Sequence, residues 1–427
     1  MNLLVLGSGA REHALAVKLA QSPLAETVYL SPGNGGTQTI FPHFPVADFE
    51  SLARSISDLQ IGMVVIGPEQ YLVDGLVDFL EARSDLQHLH IIGPNQACAA
   101  LEGSKDFSKA IMQEAGIPTA PARTFRADQW EAAAKYISQH PLPVVIKADG
   151  LAAGKGVAVC TKTEEALDFA ASILKDRVFG SDNASILVEA FLDGIEVSVF
   201  ALCDGKNYQL LPEAKDYKRI FDGDQGPNTG GMGSVSPVPF AGPAFIKKVE
   251  DRVLKPLFET LQKRELFYKG FLFVGLMKVG DDPYVIEFNA RLGDPETQTL
   301  LQRIDGDLLP ALLSIKDQTL DQQPISISQN HVATVVVCAE NYPDTPVKGD
   351  LINLPQETDD ASVYLAGAIG DGAQLRTSGG RVLSCTGSGQ NPLAALKAAY
   401  GLVEKTRFRG MQFRTDIGQD LLAKQVL

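Results

Sequence analysis

Cysteine is scarce in this sequence, with five residues among 427. The five lie far apart and form no Cys-x-x-Cys pair, so the sequence predicts neither a disulfide framework nor a zinc site built on paired cysteines. Histidine is nearly as rare, with six residues, and only His13 stands beside a motif. Nothing therefore suggests a histidine-based triad or metal cluster, and the expected environment is a reducing cytoplasm.

Basic residues are in deficit, because 38 Lys and Arg stand against 52 Asp and Glu, for a net charge of −14. Nucleic-acid binding depends on clustered basic residues that neutralise phosphates, so no nucleic-acid partner is expected. No apolar run approaches the ~20 residues needed to cross a bilayer. The start, Met1–Leu6, lacks the basic flank of a signal peptide and runs directly into a glycine turn. We therefore expect no membrane partner.

Short apolar runs alternate with helical patterns at 14–21, 49–57 and 73–83, which predicts a parallel sheet with ligand-binding loops at its carboxyl edge. A proline-bearing joint at 116–121 and a polar, Gln-rich stretch at 316–330 suggest boundaries. We predict several domains of α/β and α+β class, beginning with a Rossmann-like domain. The predicted strands are 3–6, 27–30, 63–66, 90–92, 144–146, 186–189, 196–203, 270–279, 284–288, 332–338 and 363–366.

The first predicted strand ends in a turn, Gly7–Glu12, that opens a helix and can hold a phosphate through backbone N–H groups. Dinucleotide binding is disfavoured, because Glu12 replaces the third glycine of GxGxxG and the next strand ends without a carboxylate for a ribose. An anion site for a phosphorylated metabolite fits better. For any single loop, a tight turn that needs glycine is an equally good explanation. The residues singled out at three successive strand ends are Gly9, Arg11, Asn34, Glu69 and Asp74.

The segment Lys147–Val157 places a lysine at a strand end before a glycine-rich hairpin. It is not a P-loop, because its glycine spacing is one residue short and Gly156 stands where Ser or Thr would bind magnesium. Such a hairpin can close over a nucleotide, with Lys155 on the phosphates and Lys147 reaching in from the sheet. An exposed hairpin with an incidental lysine is the alternative.

Further along, the connector after Glu189 leads into another strand that carries Glu196. A connector of this kind can present backbone groups to an adenine edge, and Glu196 can accept hydrogen bonds from ribose hydroxyls. Two solvent-facing strand glutamates are the plainer explanation, since charged residues are mostly exposed.

The most informative segment is Asp282–Glu296. On a strand of period two, Glu287 and Asn289 project from the same face, and their oxygens suit a hard cation such as Mg²⁺. Arg291 follows on that side, where it can neutralise a transferring phosphoryl group. Two plainer interpretations explain the segment less well than a metal site. A purely structural buried strand would carry apolar residues at 287 and 289, and an exposed strand would not need Arg-x-Gly-Asp-Pro-Glu directly after it.

A charged stretch, Lys215–Arg219, is followed by a long glycine-rich loop at 225–233. Asp216 and Lys218 are the candidates for substrate contact in this region. The loop either caps a substrate or is an ordinary mobile loop, and the residues alone favour neither.

Taken in order, these segments resemble the ATP-grasp ligases and, more closely, the glycinamide ribonucleotide synthetase family of purine biosynthesis, over almost the whole chain. Arg291–Glu296, with Thr297 and Gln298 after it, looks like that family's signature. Gly379–Leu383 resembles its carboxyl-terminal domain. The other segments that carry the resemblance are 7–13, 32–37, 67–69, 101–105 and 147–157.

The resemblance implies three domains, namely 1–102 for substrate binding, 103–325 for an ATP-grasp region with a flexible lid at about 120–190, and 326–427 as a small α+β domain. It implies ATP-dependent ligation of glycine to 5-phosphoribosylamine through a glycyl phosphate, with Mg²⁺ or Mn²⁺, by a monomer that self-associates weakly at most. The implied roles are ATP binding for Lys105, Lys147, Gly154, Lys155, Gly156, Glu189, Leu192 and Glu196; metal binding for Glu287 and Asn289; catalysis for Arg291 and Asp294; and substrate binding for Gly9, Arg11, Asn34, Glu69, Asp74, Asp216 and Lys218.

Two other functions stay open. An ATP-grasp enzyme with another substrate pair, such as a bicarbonate-using purine carboxylase, is disfavoured by the Arg291–Glu296 signature. A nucleotide-sensing or NAD-binding protein without ligase activity has no need of the set Lys147, Lys155, Glu287 and Asn289. The strand 271–279 offers no acidic residue, so it leaves open how a second metal would be held.

Overall fold

The computed structural model describes residues 1–151, 156–179, 184–370 and 374–424. Its amino-terminal part is a parallel sheet of four strands in the order β2-β1-β3-β4. Alternate residues of the apolar run 3–6 enter two different cores, as expected for a strand covered on both faces. The elements are β1 (Asn2–Gly7), α1 (Ala10–Ala20), β2 (Thr27–Pro32), α2 (Phe49–Asp58), β3 (Ile61–Ile66), α3 (Glu69–Val73), α4 (Leu76–Glu81), β4 (His90–Ile92) and α5 (Gln96–Gly103).

The predicted strands of this part are confirmed, but the single helix predicted over 73–83 is wrong. Two helices lie there, because Gly75 adopts a left-handed φ of 85° between them. Helix α2 begins where expected, since the Asp48 side chain accepts a hydrogen bond from the N–H of Ser51 at 2.7 Å.

A separate antiparallel sheet of four strands, in the order β5-β8-β6-β7, follows the joint at 116–121. Thr119 of that joint donates its hydroxyl to the carbonyl oxygen of Val285 at 2.7 Å, so the joint is anchored to the strand that carries the predicted metal ligands. The elements are α6 (Lys105–Glu114), β5 (Ala122–Arg126), α7 (Trp130–Gln139), β6 (Val144–Ala148), β7 (Val157–Cys160), α8 (Thr163–Leu174) and β8 (Ser185–Ala190).

The rest of the chain is organised around one sheet of eight strands, in the order β15-β14-β9-β10-β13-β18-β22-β19. The predicted boundary at 316–330 does not divide this sheet, because β13 pairs with β18 across it. A short ladder, in which Lys215 lies opposite Val235 and Asp216 opposite Ser234, joins the two halves. The strands are β9 (Ile195–Asp204), β10 (Tyr208–Asp216), β11 (Arg219–Phe221), β12 (Gln225–Asn228), β13 (Gly233–Ser236), β14 (Lys269–Val279), β15 (Asp282–Asn289), β16 (Ile304–Asp305), β17 (Ser326–Ile327), β18 (His331–Cys338), β19 (Ala361–Leu365), β20 (Ala368–Ile369), β21 (Arg376–Thr377) and β22 (Arg381–Gly389).

The helices of this part close its faces. The last long helix is capped by Asn391, whose side chain accepts from the N–H of Ala394 at 2.9 Å, and Pro392 holds its first helical position. Among the described residues no helix is long and apolar enough to cross a membrane. The α-helices are α9 (Pro243–Val249), α10 (Lys255–Lys263), α11 (Glu296–Leu301), α12 (Leu309–Leu313), α13 (Pro392–Val403) and α14 (Gln419–Lys424); a π-helical segment spans Glu250–Leu254, and 3₁₀ turns lie at Thr37–Thr39, Ser84–Leu86, Ala127–Gln129, Asp222–Asp224 and Leu320–Gln322.

The amino-terminal sheet is docked on the large sheet through α1. Leu15 and Leu19 of this helix share a core with Leu300 of α11 and Leu312 of α12. The imidazole Nδ1 of His13 accepts a hydrogen bond from the N–H of Leu365 in β19 at 2.9 Å. The first and last thirds of the chain are therefore held together by apolar packing and one buried imidazole.

Acid sensitivity is expected at His13. Burial lowers its pKa from 6.5 to about 4, so the folded protein holds it neutral. This contribution to stability is complete above pH 6.5 and is lost as the pH falls through 4. Between pH 7 and 4.5, the free energy of unfolding in urea is expected to fall by about 2 to 3 kcal/mol more for wild type than for His13→Asn. The reason is that Asn keeps a hydrogen-bond acceptor but does not titrate. Parallel pH profiles of the two proteins would contradict this assignment.

Candidate active site

The three sheets meet around a cavity with a volume of about 360 Å³. The carboxyl edge of the first sheet, the antiparallel sheet and the edge of the large sheet near β15 each supply part of its wall. This cavity is lined by most of the residues that were predicted to bind the nucleotide, to bind the metal or to take part in catalysis. The polar residues of the wall include Arg11, Glu69, Glu102, Lys105, Lys109, Lys147, Glu189, Asp216, Lys218, Glu287, Asn289, Arg291, Asp294, Glu296 and Arg381.

Strand β15 contains a bulge that the sequence pattern did not predict. Glu287 pairs with Gly275 and Val285 with Leu276, so Ile286 has no partner across the ladder. Bulges of this kind re-aim groups next to active sites. Here the Ile286 carbonyl oxygen accepts from the Lys147 ammonium at 3.0 Å. The bulge therefore gives the predicted nucleotide lysine a backbone anchor beside Glu287.

Glu287 and Asn289 both line the cavity, as the alternation on the strand predicted. The Asn289 amide nitrogen lies 3.4 Å from Oε1 of Glu287. Burial acts to raise the pKa of Glu287, but Lys218, Lys147 and Lys105 outweigh it and hold that pKa below its usual value. The carboxylate is therefore ionised at neutral pH.

This donor set fits a Mg²⁺-like ion. Mg²⁺ in phosphoryl-transfer enzymes takes one or two protein carboxylates or amides and completes its shell with water and substrate phosphates. The described part of the chain holds no group of three or more His, Cys, Asp and Glu residues that would form an all-protein metal cage. Glu287 and Asn289 would hold the ion, and the remaining ligands would be phosphate oxygens and water.

Arg291 is clamped between two carboxylates of the first domain. Its Nε lies 3.1 Å from Glu69 and its Nη2 lies 2.8 Å from Glu102, which also accepts from the N–H of Ala290. Burial raises the pKa of Glu102 to about 7, although Arg291 opposes this shift. The pKa of Glu69 lies below its usual value, since Arg291 and Arg11 outweigh its burial. The guanidinium is thus fixed in place at the cavity wall.

A buried charge triad stands at the nucleotide side. Glu189 lies 2.7 Å from the Lys147 ammonium and 3.0 Å from that of Lys109. Lys109 also donates to the Thr119 hydroxyl at 2.6 Å, which connects the triad to the joint at 116–121. The triad places the predicted residue Lys147 and the unpredicted residue Lys109 around one carboxylate.

Lys105 lies at the start of α6, beside the hairpin. Its ammonium donates to the Gly150 carbonyl at 2.8 Å, and its backbone N–H donates to Asp149 at 2.6 Å. Gly156 lines the cavity from the returning strand. Gly154 and Lys155, the other predicted hairpin residues, lie outside the residues that the structure describes.

Two predicted nucleotide residues stand apart from this wall. The lining formed by the described residues does not include Leu192 or Glu196. Glu196 is half exposed and pairs with the Lys218 ammonium at 2.8 Å. Lys218 itself lines the cavity, and although burial opposes the shift, Glu196, Asp216 and Glu287 raise its pKa.

The amino-terminal turn is filled by its own glutamate. Glu12 accepts from the N–H of Gly9 at 2.7 Å, and a Cβ at Gly67 would lie 2.0 Å from its Oε1. A carboxylate thus occupies the switch point between β1 and β3, where a dinucleotide phosphate would bind. Arg11 lines the cavity, with its Nε on Glu12 and its Nη1 on the Leu292 carbonyl at 2.9 Å. The structure thus gives a physical reason against dinucleotide binding.

Asn34 and Asp74 do not reach the cavity lining formed by the described residues. The Asn34 amide donates to the carbonyls of Ser8 and Leu365, and its oxygen accepts from Gly36 and Thr37. Its side chain therefore holds the loop against β19 and has no hydrogen-bonding capacity left for a ligand. Asp74 is exposed and accepts from Gln70.

The glycine-rich loop at 225–233 is packed against the signature segment. Gly231 has a φ of 111°, and a Cβ there would lie 2.4 Å from the Pro295 ring. Arg381, at the start of β22, donates to the carbonyls of Gly230 and Asp294 and lies 3.4 Å from the Asp294 carboxylate. Burial opposes the shift, but Arg381 and Arg11 lower the pKa of Asp294. Of the two interpretations left open for this loop, an anchored cap over the cavity agrees with these contacts.

Sequence reasoning missed four charged residues of the wall. For three of them the available signal was the family resemblance, because the segments that carry it contain Glu102, Glu296 and Arg381. Lys109 had none, because a lysine on an amphipathic helix normally faces solvent.

Comparison with known families agrees with this architecture. Models of the phosphoribosylglycinamide synthetase N domain, ATP-grasp (A) domain and C domain match residues 1–102, 103–297 and 332–420. The chain belongs to the phosphoribosylglycinamide synthetase family. The predictions of this family, of its multidomain fold and of an ATP-grasp ligase are confirmed.

Individual relatives cover nearly the whole chain. The phosphoribosylamine–glycine ligase of Ralstonia nicotianae is 45% identical over 423 residues, which are 98% of this chain and 99% of the relative. The crystal structure of the Thermotoga maritima phosphoribosylamine–glycine ligase is 34% identical with a TM-score of 0.85, covering 98% of this chain and 100% of that one. A biotin carboxylase domain from Hydrogenobacter thermophilus, solved with MgADP, has a TM-score of 0.69 at 18% identity, covers 96% of this chain and 91% of its own, and shows likeness of fold alone.

Proposed function

We propose that this chain joins glycine to 5-phosphoribosylamine, with conversion of ATP to ADP and phosphate through a glycyl phosphate. The observation that carries the proposal is the grouping of Glu287, Asn289 and Arg291 on one cavity wall, facing Lys105 and Lys147. Such a wall suits transfer of a phosphoryl group to a carboxylate, because it offers metal ligands and fixed cations where negative charge accumulates.

The chemistry follows from the poor reactivity of a carboxylate. Phosphorylation turns a carboxylate oxygen into a leaving group that an amine can displace with release of phosphate. Mg²⁺ or Mn²⁺, held by Glu287 and Asn289, would neutralise the phosphate oxygens during this transfer. Arg291 is held by Glu69 and Glu102, so its guanidinium needs no reorganisation to stabilise the transferring group.

We assign nucleotide binding to the antiparallel sheet and its surroundings. Lys105 and Lys147 would bind phosphates, which requires Lys147 to exchange Glu189 for the nucleotide. The connector through Leu192 would face adenine, and Glu196 would face the ribose. Gly154, Lys155 and Gly156 of the hairpin would cover the phosphates.

We assign the phosphorylated amine to the first domain and to the signature segment. Arg11, Glu69 and Asp294 line the cavity on this side. Asp216 and Lys218 also line the cavity and would contact a substrate there. Gly9 belongs to the same set and lies beside Asp294, since a Cβ there would be 3.2 Å from its carboxylate. Asn34 and Asp74, also expected from the sequence, are left out because their side chains do not reach the lining that the described residues form.

We further propose that the chain acts as a monomer in the cytoplasm, with domains at 1–102, 103–325 and 326–427. The assembly and the compartment rest on the sequence alone.

A coupled ADP assay with glycine and freshly made 5-phosphoribosylamine tests the function. ADP is expected only when both substrates are present with ATP and a divalent ion. The matched controls omit one substrate at a time or replace glycine with bicarbonate. ADP release that is indifferent to glycine, or that responds to bicarbonate instead, would refute the glycine assignment.

A further inference from the structure

Two carboxylates of the cavity have not been matched to a particular group of any substrate. Asp216 ends β10, and Glu296 begins α11; both line the cavity. Glu296 is 4% exposed, and the Oδ1 atom of Asp216 is buried without a hydrogen-bond partner. Buried polar atoms nearly always have partners, so an unpaired carboxylate oxygen beside a cavity calls for an explanation.

The backbone fixes both carboxylates in position. A Cβ at Gly293 would lie 2.3 Å from the Glu296 carboxylate, and one at Gly231 would lie 2.9 Å from Oδ1 of Asp216. The Ser198 hydroxyl also donates to Glu296 at 3.2 Å. Each acidic group thus occupies the space left by a glycine, where an added Cβ would collide with it.

The pair also lacks a cation of its own. Lys218 pairs with Glu196, Arg291 with Glu69 and Glu102, and Arg381 with Asp294. Within the described residues, no Lys or Arg forms a salt bridge with Asp216 or Glu296. Burial, and for Asp216 the charge of Glu296, raise the pKa values of both groups. This part of the wall is therefore locally anionic, and a cation bound between the two carboxylates would stabilise it.

We propose that Asp216 and Glu296 bind the ammonium group of the amino-acid substrate. The assignment rests on the proposed function, which requires an amino acid whose carboxylate lies beside the Arg291 guanidinium, near the strand that would hold the metal. Glu296 lies five positions after Arg291 in the signature segment, so the pair is placed to receive the other end of a small zwitterion. An ammonium with three donors matches two carboxylates.

A second metal ion fits this place less well. A divalent cation needs more oxygen ligands than two carboxylates supply, and the Lys218 ammonium, which affects both groups, would repel it. The described residues also contain no third His, Cys, Asp or Glu in a metal-ligating group here. A small organic amine needs fewer oxygen ligands, and its single positive charge is repelled less by Lys218 than a divalent ion would be.

The site should reject an acid that lacks the ammonium. Glycolate has the carboxylate and the size of glycine but carries a hydroxyl in place of the ammonium. Binding it would leave the acid pair without a cation, and sites built around buried polar groups reject such analogues strongly. Discrimination between glycine and glycolate is therefore the property that this pair determines.

The test uses Asp216→Asn and Glu296→Gln in the full chain. Wild-type ADP formation with glycine and 5-phosphoribosylamine is measured first, and its failure would count against the proposed function alone. With an active wild type, each variant is expected to raise the KM for glycine about 10²-fold. The KM values for ATP and 5-phosphoribosylamine should stay within about threefold. The ratio of the glycolate inhibition constant to the glycine KM should fall by about 10²-fold or more. In the variants, bound glycolate no longer leaves the substituted carboxylate without a cation.

Glu259→Gln serves as the matched control, because Glu259 is exposed on α10 away from the cavity. Thermal midpoints of the ligand-free variants should not fall, as an amide replaces a buried unpaired carboxylate. Glycine should raise the midpoint of wild type and of the control but not of the variants. An unchanged glycine KM in both variants, a rise confined to 5-phosphoribosylamine, or a shift confined to the Mg²⁺ requirement would each overturn the ammonium assignment.

Discussion

Glu287→Gln is expected to lower kcat by about 10³-fold, because the metal would lose its only carboxylate ligand on β15 and with it about 4 kcal/mol of transition-state stabilisation. The substitution keeps the shape of the side chain. It also removes the negative charge that Lys218, Lys147 and Lys105 face, so the three ammonium groups would repel one another and the metal. The KM for the nucleotide should rise as well. The measurement is the coupled ADP assay over a range of Mg²⁺ concentrations.

Asn289→Ala provides the comparison for this prediction. It removes a neutral ligand and leaves the charge balance of the cavity intact. We therefore expect a smaller decrease in kcat, which excess Mg²⁺ partly reverses. Glu259→Gln should behave like wild type. Equal turnover by wild type and Glu287→Gln would show that the strand does not hold the metal and would favour a nucleotide-binding protein without ligase activity.

Arg291→Ala is expected to destabilise the fold by about 3 to 5 kcal/mol, besides lowering kcat by about 10³-fold. The arginine separates Glu69 from Glu102, and without it two carboxylates of the first domain would face each other in a buried site. Protonation of Glu102 would relieve part of this repulsion, and its pKa is already about 7. The loss of unfolding free energy caused by the substitution should therefore be larger at pH 8 than at pH 5.5, as measured by urea unfolding.

A second substitution separates stability from catalysis. Glu102→Gln added to Arg291→Ala should restore most of the stability at pH 8, because it removes the buried charge that lost its partner. It should not restore activity, since the guanidinium is still missing. Arg291→Lys should also fail to support activity, because one ammonium cannot bridge both carboxylates as the forked guanidinium of arginine does. A pH-independent loss, or a double variant no more stable than the single one, would contradict this account.

The sequence predicted those parts of the site that lie close together along the chain. Glu287 and Asn289 are positioned by the alternation of one strand, and Lys147 by the end of another, so local pattern was enough. The strands of the first sheet followed from apolar runs and glycine turns for the same reason.

The parts that were missed depend on partners far away in the chain. The bulge at Ile286 arises from register with β14, which no property of β15 alone reveals. Arg381 reaches Asp294 only because β22 joins the large sheet. Asn34 was expected to face a substrate, yet its bonds to Ser8 and Leu365 show that an asparagine in a glycine loop can serve to join domains.

The large sheet also limits how this chain can be divided. Strand β13 is bounded on one side by β10 and on the other by β18, which lies beyond residue 330. A fragment that ends before β18 would leave the N–H and C=O groups of β13 without partners, and such an exposed edge invites pairing between molecules. Chimaeras that exchange the last hundred residues with a relative would therefore have to carry Gly233–Ser236 with them, although this strand lies in the middle of the sequence.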